Sequence, residues 1–504
     1  FQNSQFTIAV GAVDADGSPS GFTSLGANVL LSAGGRDIVS TDVDGKHDTS
    51  SGTSFAAPQV SAAVALMLEA NEELGYRDIQ QILAYSARRE GLSDDKLHGD
   101  GWQYNGAANH NGGGLHFSDA FGYGFLNVHD AVRLAESWTL QQTHANLTEI
   151  SKQIEVGQTM VAGARDKITA TIAITAKVQV ENVRVALDFA WRFTADIDVW
   201  LVSPEGTRVR LVYDLPDKAS VGGLKLFEFG SVASIGELSA GTWTLEIINN
   251  DPAATAKDGA PETGLFEDFT FTIIGRATGL ADDTYVYTDE FASLYAGADL
   301  ASRKQLVDSD GGTDSINAAA LTSASVIDLS GASTTMLAGQ VVGIGAGVIE
   351  NAFGGDGDDV LKGSVKANVL TGGRGNDTLY FSAGNDRLDG QQGNDTLFVN
   401  AKFADLAGYV TKLGEVALSA ATGTITLISN VESFVFADAT YTLAQLLLHL
   451  LVLLHELEIL TLLPRILTGS GQHGLGHFGV GHGDLGLAAH FGQPGGQAAV
   501  VRQK

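Results

Sequence analysis

The 504 residues contain no cysteine, only 8 prolines and few aromatics. Without thiols there is no disulfide, no zinc–thiolate centre and no cysteine nucleophile; the compartment stays open, because oxidising surroundings permit disulfides without requiring them. Basic residues are scarce too, 30 against 59 acidic ones, and a formal charge of −29 repels nucleic acid and anionic membrane surfaces. Cations are the favoured partners. The opening "FQNSQFTIAV" has no initiator methionine, charged leader or cleavage-site pattern, so the sequence reads as part of a longer chain. Glycine is plentiful at 62 residues, and with 44% apolar residues this points to small, turn-rich β units in several domains.

Along the chain, "FTIAVGAV" before the turn signal "DADGS" predicts a buried strand, with "VLLSAGG" and "DIVSTD" as further short strand or loop candidates. The segment "QVSAAVALMLEANEEL" is apolar on nearly every face and predicts a buried helix. "YRDIQQILAYSARR" and "LNVHDAVRLAESW" predict two more. From Ile168 the period changes to two, through "ITATIAITAKVQVENVRVALDFAW", "DVWLVSPEGTRVRLVY", "GTWTLEIIN" and "FTFTIIG". This pattern predicts an antiparallel β-sandwich between about 156 and 276.

A serine hydroxyl is a weak nucleophile and needs a base, donors for the developing oxyanion and a rigid mount. "GTSFAAP" offers the mount: Gly52 permits close approach, Ser54 sits at a helix N-terminus whose dipole favours negative charge, and Ala56 and Ala57 keep the site open. Pro58 is expected in the first helical turn, where no internal N–H is needed. Taken alone, the motif is better read as a helix cap by Thr53 or Ser54.

The wider run "TIAVGAVDADGSPSGFTSLGANVLLSAGGRDIVSTD" followed by "SSGTSFAAPQVSAAVALML" resembles the subtilisin-like serine endopeptidases. "GWQYNGAANH" and "FSDAFGYGFLNVHDAVRLAESW" resemble their kexin-like branch, so that the likeness covers residues 1 to 138. It implies an α/β fold with Ser54 as catalytic nucleophile, and it places the family's Asp and His far upstream of the serine. His47 lies too near in sequence to be that base, Asp42 and Asp44 fall outside the aspartate motif, and Asn3 outside any oxyanion motif. The partners are therefore expected before residue 1, and this stretch alone is expected to hydrolyse nothing. "VENVRVALDFAWRFTADIDVWLVSPEGTRVRLVYD" with "LSAGTWTLEIINND" resembles the P domain, or Homo B module, of kexin-like convertases, which implies a brace for the protease; Asp196 and Asp198 there read as solvated.

Cut every nine residues from Gly354, the chain reads "GGDGDDVLK", "GSVKANVLT", "GGRGNDTLY", "FSAGNDRLD" and "GQQGNDTLF", with Leu361, Leu370, Leu379, Leu388 and Leu397 in one column. Chance gives such a column on the order of once in a hundred thousand. Glycines allow tight loops whose carbonyls turn inward, the Asp adds a hard oxygen, and the Leu fills the core of a parallel β-roll. Oxygen ligands without thiols select Ca²⁺. The candidate ligand positions are Gly354, Asp356, Gly357 and Asp359, then Gly372, Gly375 and Asp377, then Gly384 and Asp386, then Gly390, Gly393 and Asp395. With loops eighteen residues apart stacking, Asp359, Asp377 and Asp395 share one edge and about two good Ca²⁺ sites are expected there; on the other edge Lys366, Asn368 and Phe381 break the pattern, leaving one weak or absent site. Folding should be coupled to Ca²⁺.

These repeats resemble the RTX arrays of proteins exported by bacterial type I systems. Their flanks, including "VIENAFGGDGDDVL" and "NVESFVFADATYTLAQL", resemble the C-terminal region of serralysin-like secreted proteases over residues 284 to 445. The likeness implies an extracellular location and a type I secretion apparatus as partner.

Residues 446 to 504 break with everything before, carrying three acidic (Glu456, Glu458, Asp484) and three basic (Arg465, Arg502, Lys504) residues, as a tail read in another frame would. Its run "LLLHLLVLLHELEILTLL" is long enough to span a membrane, but Glu456 and Glu458 oppose insertion. The favoured reading is a multidomain, secreted, calcium-dependent serine endopeptidase acting on protein or peptide. Two alternatives remain: a non-catalytic calcium-binding adhesion module, and a structural carrier that only binds calcium.

Overall fold

The computed structural model describes residues 3–94, 101–212, 224–277, 282–308, 311–345, 347–411, 415–419, 423–450, 452 and 489–490. The chain divides into two compact units, 1 to 303 and 304 to 504. The expected frame change at 446 falls mostly outside the described residues. No helix among those described is long and apolar enough to cross a membrane.

The first unit opens on a parallel strand pair, Ala9–Val13 with Val29–Gly34. Three helices follow, Thr53–Ala70, Tyr76–Ser86 and Val128–Ser137, the last capped by the Asn127 side chain accepting from the Asp130 N–H. "DIVSTD" forms one strand of a hairpin, Ile38–Thr41 against His47–Ser50. The first helix departs from its expected burial. Only the stripe Ala56, Val60, Ala63 and Met67 is buried, while Leu66 is 47% and Leu68 37% exposed. An all-apolar sequence shows that a helix can be buried on every side, not that every side has a neighbour.

Two four-stranded antiparallel sheets come next. One has the order Arg208–Val212, Ile197–Val202, Gly241–Asn249, Lys167–Ile174; the other Leu224–Ser231, Val178–Phe189, Thr263–Ala277, Thr148–Val161. Alternate residues turn inward, as in Ile168, Ala170, Ile172 and Ile174. The inner faces meet where Trp243 packs on Phe271 with ring centroids 5.3 Å apart. The first strand begins at Thr148, ahead of the 156 expected from the alternation.

Buried polar groups tie these sheets to the helical segment. Arg77 pairs twice with Glu181, at 2.6 Å through Nε and 2.6 Å through Nη2, and also donates to the Thr143 carbonyl. Asn105 donates to the carbonyls of Ala233 and Ile235, and the Tyr123 hydroxyl donates to that of Val232. Residues 284–303, grouped by sequence with the repeats, lie in this first unit. Glu290 Oε1 there accepts the N–H groups of Arg89 and Glu90, each at 2.7 Å, and the Arg303 guanidinium lies 3.9 Å from the Tyr295 ring centre.

In the second unit successive strands go alternately to two sheets. One carries Val326–Asp328, Val360–Lys362, Thr378–Tyr380, Thr396–Val399 and Ser433–Phe436 in parallel; the other Ser315–Ala320, Asn351–Phe353, Val369–Arg374, Arg387–Gln392 and Ile425–Ser429. The register pairs Leu361 with Leu379 and Leu379 with Leu397 on one side, and Leu370 with Leu388 on the other. All five leucines are fully buried. Each contributes roughly 1.5–3 kcal/mol by leaving water, which makes this column the core of the coil.

Arg77 and Glu181 are a buried pair with side chains 3% and 13% exposed. Removing one partner strands the other's charge, so Arg77→Ala should lower the stability of the full chain by about 3–5 kcal/mol in urea unfolding. A change below about 1 kcal/mol would show that the pair is solvated.

Candidate nucleophile and carboxylate edge

Ser54 is the second residue of its helix and is exposed. The entry is clamped on both sides. The Gly52 N–H donates to the Gly35 carbonyl at 2.7 Å, and the Gly52 carbonyl accepts from the Phe55 N–H at 3.0 Å. Gln59 Nε2 donates to the carbonyls of Gly34 and Phe55 at 2.7 and 2.8 Å, pinning the loop against the helix. Gly52 has φ 156°, at the edge of the region that favours glycine. No acidic side chain lies in the first turn, so the positive end of the helix dipole at Ser54 is unopposed from within the helix.

Pro58 sits differently from expectation. The helix begins at Thr53, which places Pro58 in the second turn, where its missing N–H leaves the Ser54 carbonyl without its usual donor four residues on. Among the described residues no side chain hydrogen-bonds the Ser54 hydroxyl. His47 is exposed in the hairpin opposite Thr41, Asp42 precedes the short turn Val43–Gly45, and that turn contains Asp44. Asn3 Nδ2 donates to the Glu228 carbonyl at 2.8 Å. A cleft of about 250 Å³ lined by Asp14, Arg36, Arg88 and Glu90 does not include Ser54. Asp198 lies 3.8 Å from Arg210 Nη1, and the Asp196 carbonyl accepts the Asn250 N–H at 2.7 Å.

In the second unit the turn-to-turn register stacks the candidate carboxylates. The N–H of Ser325 donates to Asp359 Oδ1, that of Asp359 to Asp377 Oδ1 at 2.8 Å, and that of Asp377 to Asp395 Oδ1 at 2.7 Å. Asp359 Oδ2 accepts the Gly355 N–H at 2.6 Å. By contrast, Asp377 Oδ2 and Asp395 Oδ2 are buried without a hydrogen-bond partner. Burial, reinforced by Asp359 and Asp395, pushes the Asp377 carboxyl up to about 8; burial also lifts Asp359 and Asp395 to about 6 each.

The first-position glycines leave room beside these oxygens. The point where Gly354 would carry a Cβ is 2.4 Å from Asp359 Oδ2 and 2.0 Å from the Gly372 carbonyl oxygen; at Gly372 the distances are 2.3 Å to Asp377 Oδ2 and 2.7 Å to the Gly390 carbonyl oxygen. Carboxylate and carbonyl oxygens thus converge across each turn, a donor set that suits a hard cation such as Ca²⁺. Gly375 and Gly393 hold the left-handed turns between, with φ 109° and 155°, and Gly357 backs directly against the chain at Ala324. Asp356 faces Arg374 Nη1 at 3.9 Å, so it is charge-paired on this edge.

The second edge closes on itself. Asp386 Oδ1 accepts the Asn368 N–H at 3.0 Å and Asp386 Oδ2 accepts the Ser382 hydroxyl, while the Gly384 backbone packs against the Lys366 carbonyl. Asn368 Oδ1 accepts the Ser364 N–H at 2.6 Å, and the Lys366 ammonium is bonded to the Glu350 carboxylate. A lysine and an amide here supply the positive charge and the donors that a metal would otherwise supply. Glu350 escaped the sequence reading because it precedes the nine-residue frame, although it stands eighteen residues before Asn368 and shares its period.

Comparison with known proteins agrees with this layout. The subtilase family profile matches residues 2–124, the proprotein convertase P-domain residues 180–259, and the RTX calcium-binding nonapeptide repeat residues 353–388 and 382–401. Furin of Mus musculus is 28% identical over 294 residues, 55% of this chain and 34% of furin. Endoprotease bli-4 of Caenorhabditis elegans is 30% identical over 260 residues, 50% of this chain and 26% of that protein. The chain therefore spans about a third of the length of the curated relatives it matches. The crystal structure of a serine protease of Aeromonas sobria overlaps at TM-score 0.45 and 23% identity, over 53% of this chain and 57% of that one. Over about half its length the chain is similar to subtilisin/kexin-type proteases, and it carries, in order, a subtilase segment, a proprotein convertase P-domain and RTX calcium-binding repeats.

Proposed function

We propose that this chain is part of a secreted, calcium-dependent serine endopeptidase of the subtilisin/kexin type, with Ser54 as nucleophile. The observation that supports it best is Ser54 itself, exposed at a clamped helix start within the subtilase match. In peptide hydrolysis its Oγ attacks the scissile carbonyl, the amine leaves with a proton delivered by a base turned acid, and water releases the acyl group. This chain's residues hold the nucleophile and point the helix dipole at it. On this reading the base, its orienting aspartate and an oxyanion amide are supplied by polypeptide outside these 504 residues. The kexin-like resemblance favours substrates with basic residues before the cut.

The paired antiparallel sheets of Thr148 to Ala277 are read as the P-domain sandwich, braced to the serine segment through Arg77, Asn105 and Tyr123. The eighteen-residue coil is read as an RTX β-roll, with its ions on the first edge. Asp359, Asp377 and Asp395 with the Gly372 and Gly390 carbonyls are the groups that would hold calcium, whose charge would offset that of the stacked carboxylates. Export through a type I apparatus follows if the coil folds only where calcium is plentiful. A second reading, a non-catalytic calcium-binding surface module, draws on the unpartnered Ser54 hydroxyl.

A serine-directed fluorophosphonate probe separates the two. It should leave the 504-residue chain unlabelled and label Ser54 in a longer chain that includes the upstream region; absence of labelling in the longer chain would favour the surface module. A pH experiment tests the first edge. Without metal the folded state holds protons on Asp377, Asp359 and Asp395 more tightly than the unfolded chain does, so these groups make stability fall as pH rises from about 4 to about 8. In EDTA, Asp377→Asn should flatten that fall in the melting of the full chain, whereas saturating calcium should reverse the wild-type slope because metal displaces the protons. A wild-type slope that is the same with and without calcium would count against metal on this edge.

A further inference from the structure

The carboxylate staircase of the first edge does not stop with the last nonapeptide. After Thr396–Val399 the chain leaves the nine-residue frame, forms the hairpin of Ala407–Val410 with Val416–Ser419, and returns at Ile425–Ser429, which pairs in parallel with Arg387–Gln392. The next turn, 430–432, lands where another repeat loop would lie. Its contacts reproduce those of a repeat. The Asp395 N–H donates to Glu432 Oε2 at 2.7 Å, just as the Asp377 N–H donates to Asp395 Oδ1. The point where Gly390 would carry a Cβ is 2.0 Å from the Asn430 carbonyl oxygen and 2.4 Å from Asp395 Oδ2, matching the relation of Gly354 to Gly372 and Asp359.

Asn430 holds φ at 49°, the left-handed region in which asparagine is among the few tolerated side chains, and its Nδ2 is anchored on Asp389 Oδ1 at 2.7 Å. The carbonyl is thereby aimed at Asp395. Asp395 is fully buried, and its Oδ2, which faces that carbonyl, has no hydrogen-bond partner. An acid oxygen in that position needs a cation or a proton, since the surrounding turn offers it no donor.

We propose that the first edge carries a further divalent-cation site beyond its last nonapeptide, formed by Asp395, the Asn430 carbonyl and the Glu432 carboxylate, and selective for Ca²⁺. It rests on the calcium reading of the array, but its residues lie outside the repeat match, which ends at 401. The oxygens left without donors belong to Asp377 and Asp395, whereas both oxygens of Asp359 accept backbone N–H groups. The strongest sites thus sit one turn later along the chain than the glycine pattern alone places them. Calcium at the terminal turn would tie the 430–432 segment to the last repeat and close the open end of the edge.

Calcium binding by the full-length chain, measured by equilibrium dialysis and calorimetry, tests this. Glu432→Gln keeps an acceptor for the Asp395 N–H while removing the charge, so the fold should persist by far-UV circular dichroism at saturating calcium. It should bind one fewer Ca²⁺ per chain, or hold one of them at least tenfold more weakly. Glu432→Asp, which keeps the charge on a shorter arm, should fall between the two, and gives a second variant if the first does not fold. A folded variant with the wild-type number of ions and unchanged affinities would overturn the terminal site and leave the repeat sites intact. A wild-type chain that binds no calcium would instead remove the calcium reading of the whole array.

Discussion

A carboxylate taken out of water must find hydrogen-bond donors or a cation, and in the second unit one register decides which it gets. The parallel pairing that buries Leu379 between Leu361 and Leu397 also sets Asp377 between Asp359 and Asp395. Core and edge are therefore read from the same turn and cannot drift apart. On the first edge backbone N–H groups satisfy both oxygens of Asp359 but only one each of Asp377 and Asp395. On the second, Lys366, Ser382 and the Asn368 amide complete the set from within the chain. Two edges of one coil thus meet the same electrostatic demand differently: the second encodes its partners in the chain, while the first leaves Asp377 and Asp395 each with an oxygen lacking a donor.

The first unit shows the converse, apolar surface left in water. The serine helix is mounted by contacts made wholly within the chain, from Gly52, Gln59 and the loop at Gly34, so the position of Ser54 is set locally. Its chemistry is not. Among the described residues, the parallel pair Ala9–Val13 with Val29–Gly34 and the helix bearing Leu66 and Leu68 leave apolar surface in water, although parallel sheets are ordinarily covered on both faces. The local placement of Ser54 and the chemistry open to it are separate properties.

Much of this was legible in the sequence. Period-two alternation located Gly241–Asn249 to the residue, and the leucine column gave the eighteen-residue register of the coil. What stayed hidden has physical reasons. The strand Thr148–Val161 is half-exposed or exposed along nearly its whole length, so its start carries no apolar signal. The serine helix looked buried because composition records what a face tolerates and not what lies against it. Residues 284–303 join the first unit through Arg303, which lies 4.7 Å from the Tyr104 ring centre, and the buried Glu290, contacts with no fixed spacing. Glu350, Asn430 and Glu432 keep the eighteen-residue geometry but interrupt its nine-residue spelling.

The Arg77–Glu181 pair has a consequence for how such a chain can be inherited. The guanidinium belongs to the serine segment and the carboxylate to the strand Val178–Phe189, and Arg77 also donates to the Thr143 carbonyl and the Asn146 side chain between them. A recombination break anywhere in residues 139–147 would leave an ionised group stranded on each side. The serine segment and the strand Val178–Phe189 thus depend on each other for charge, which favours their inheritance as one block.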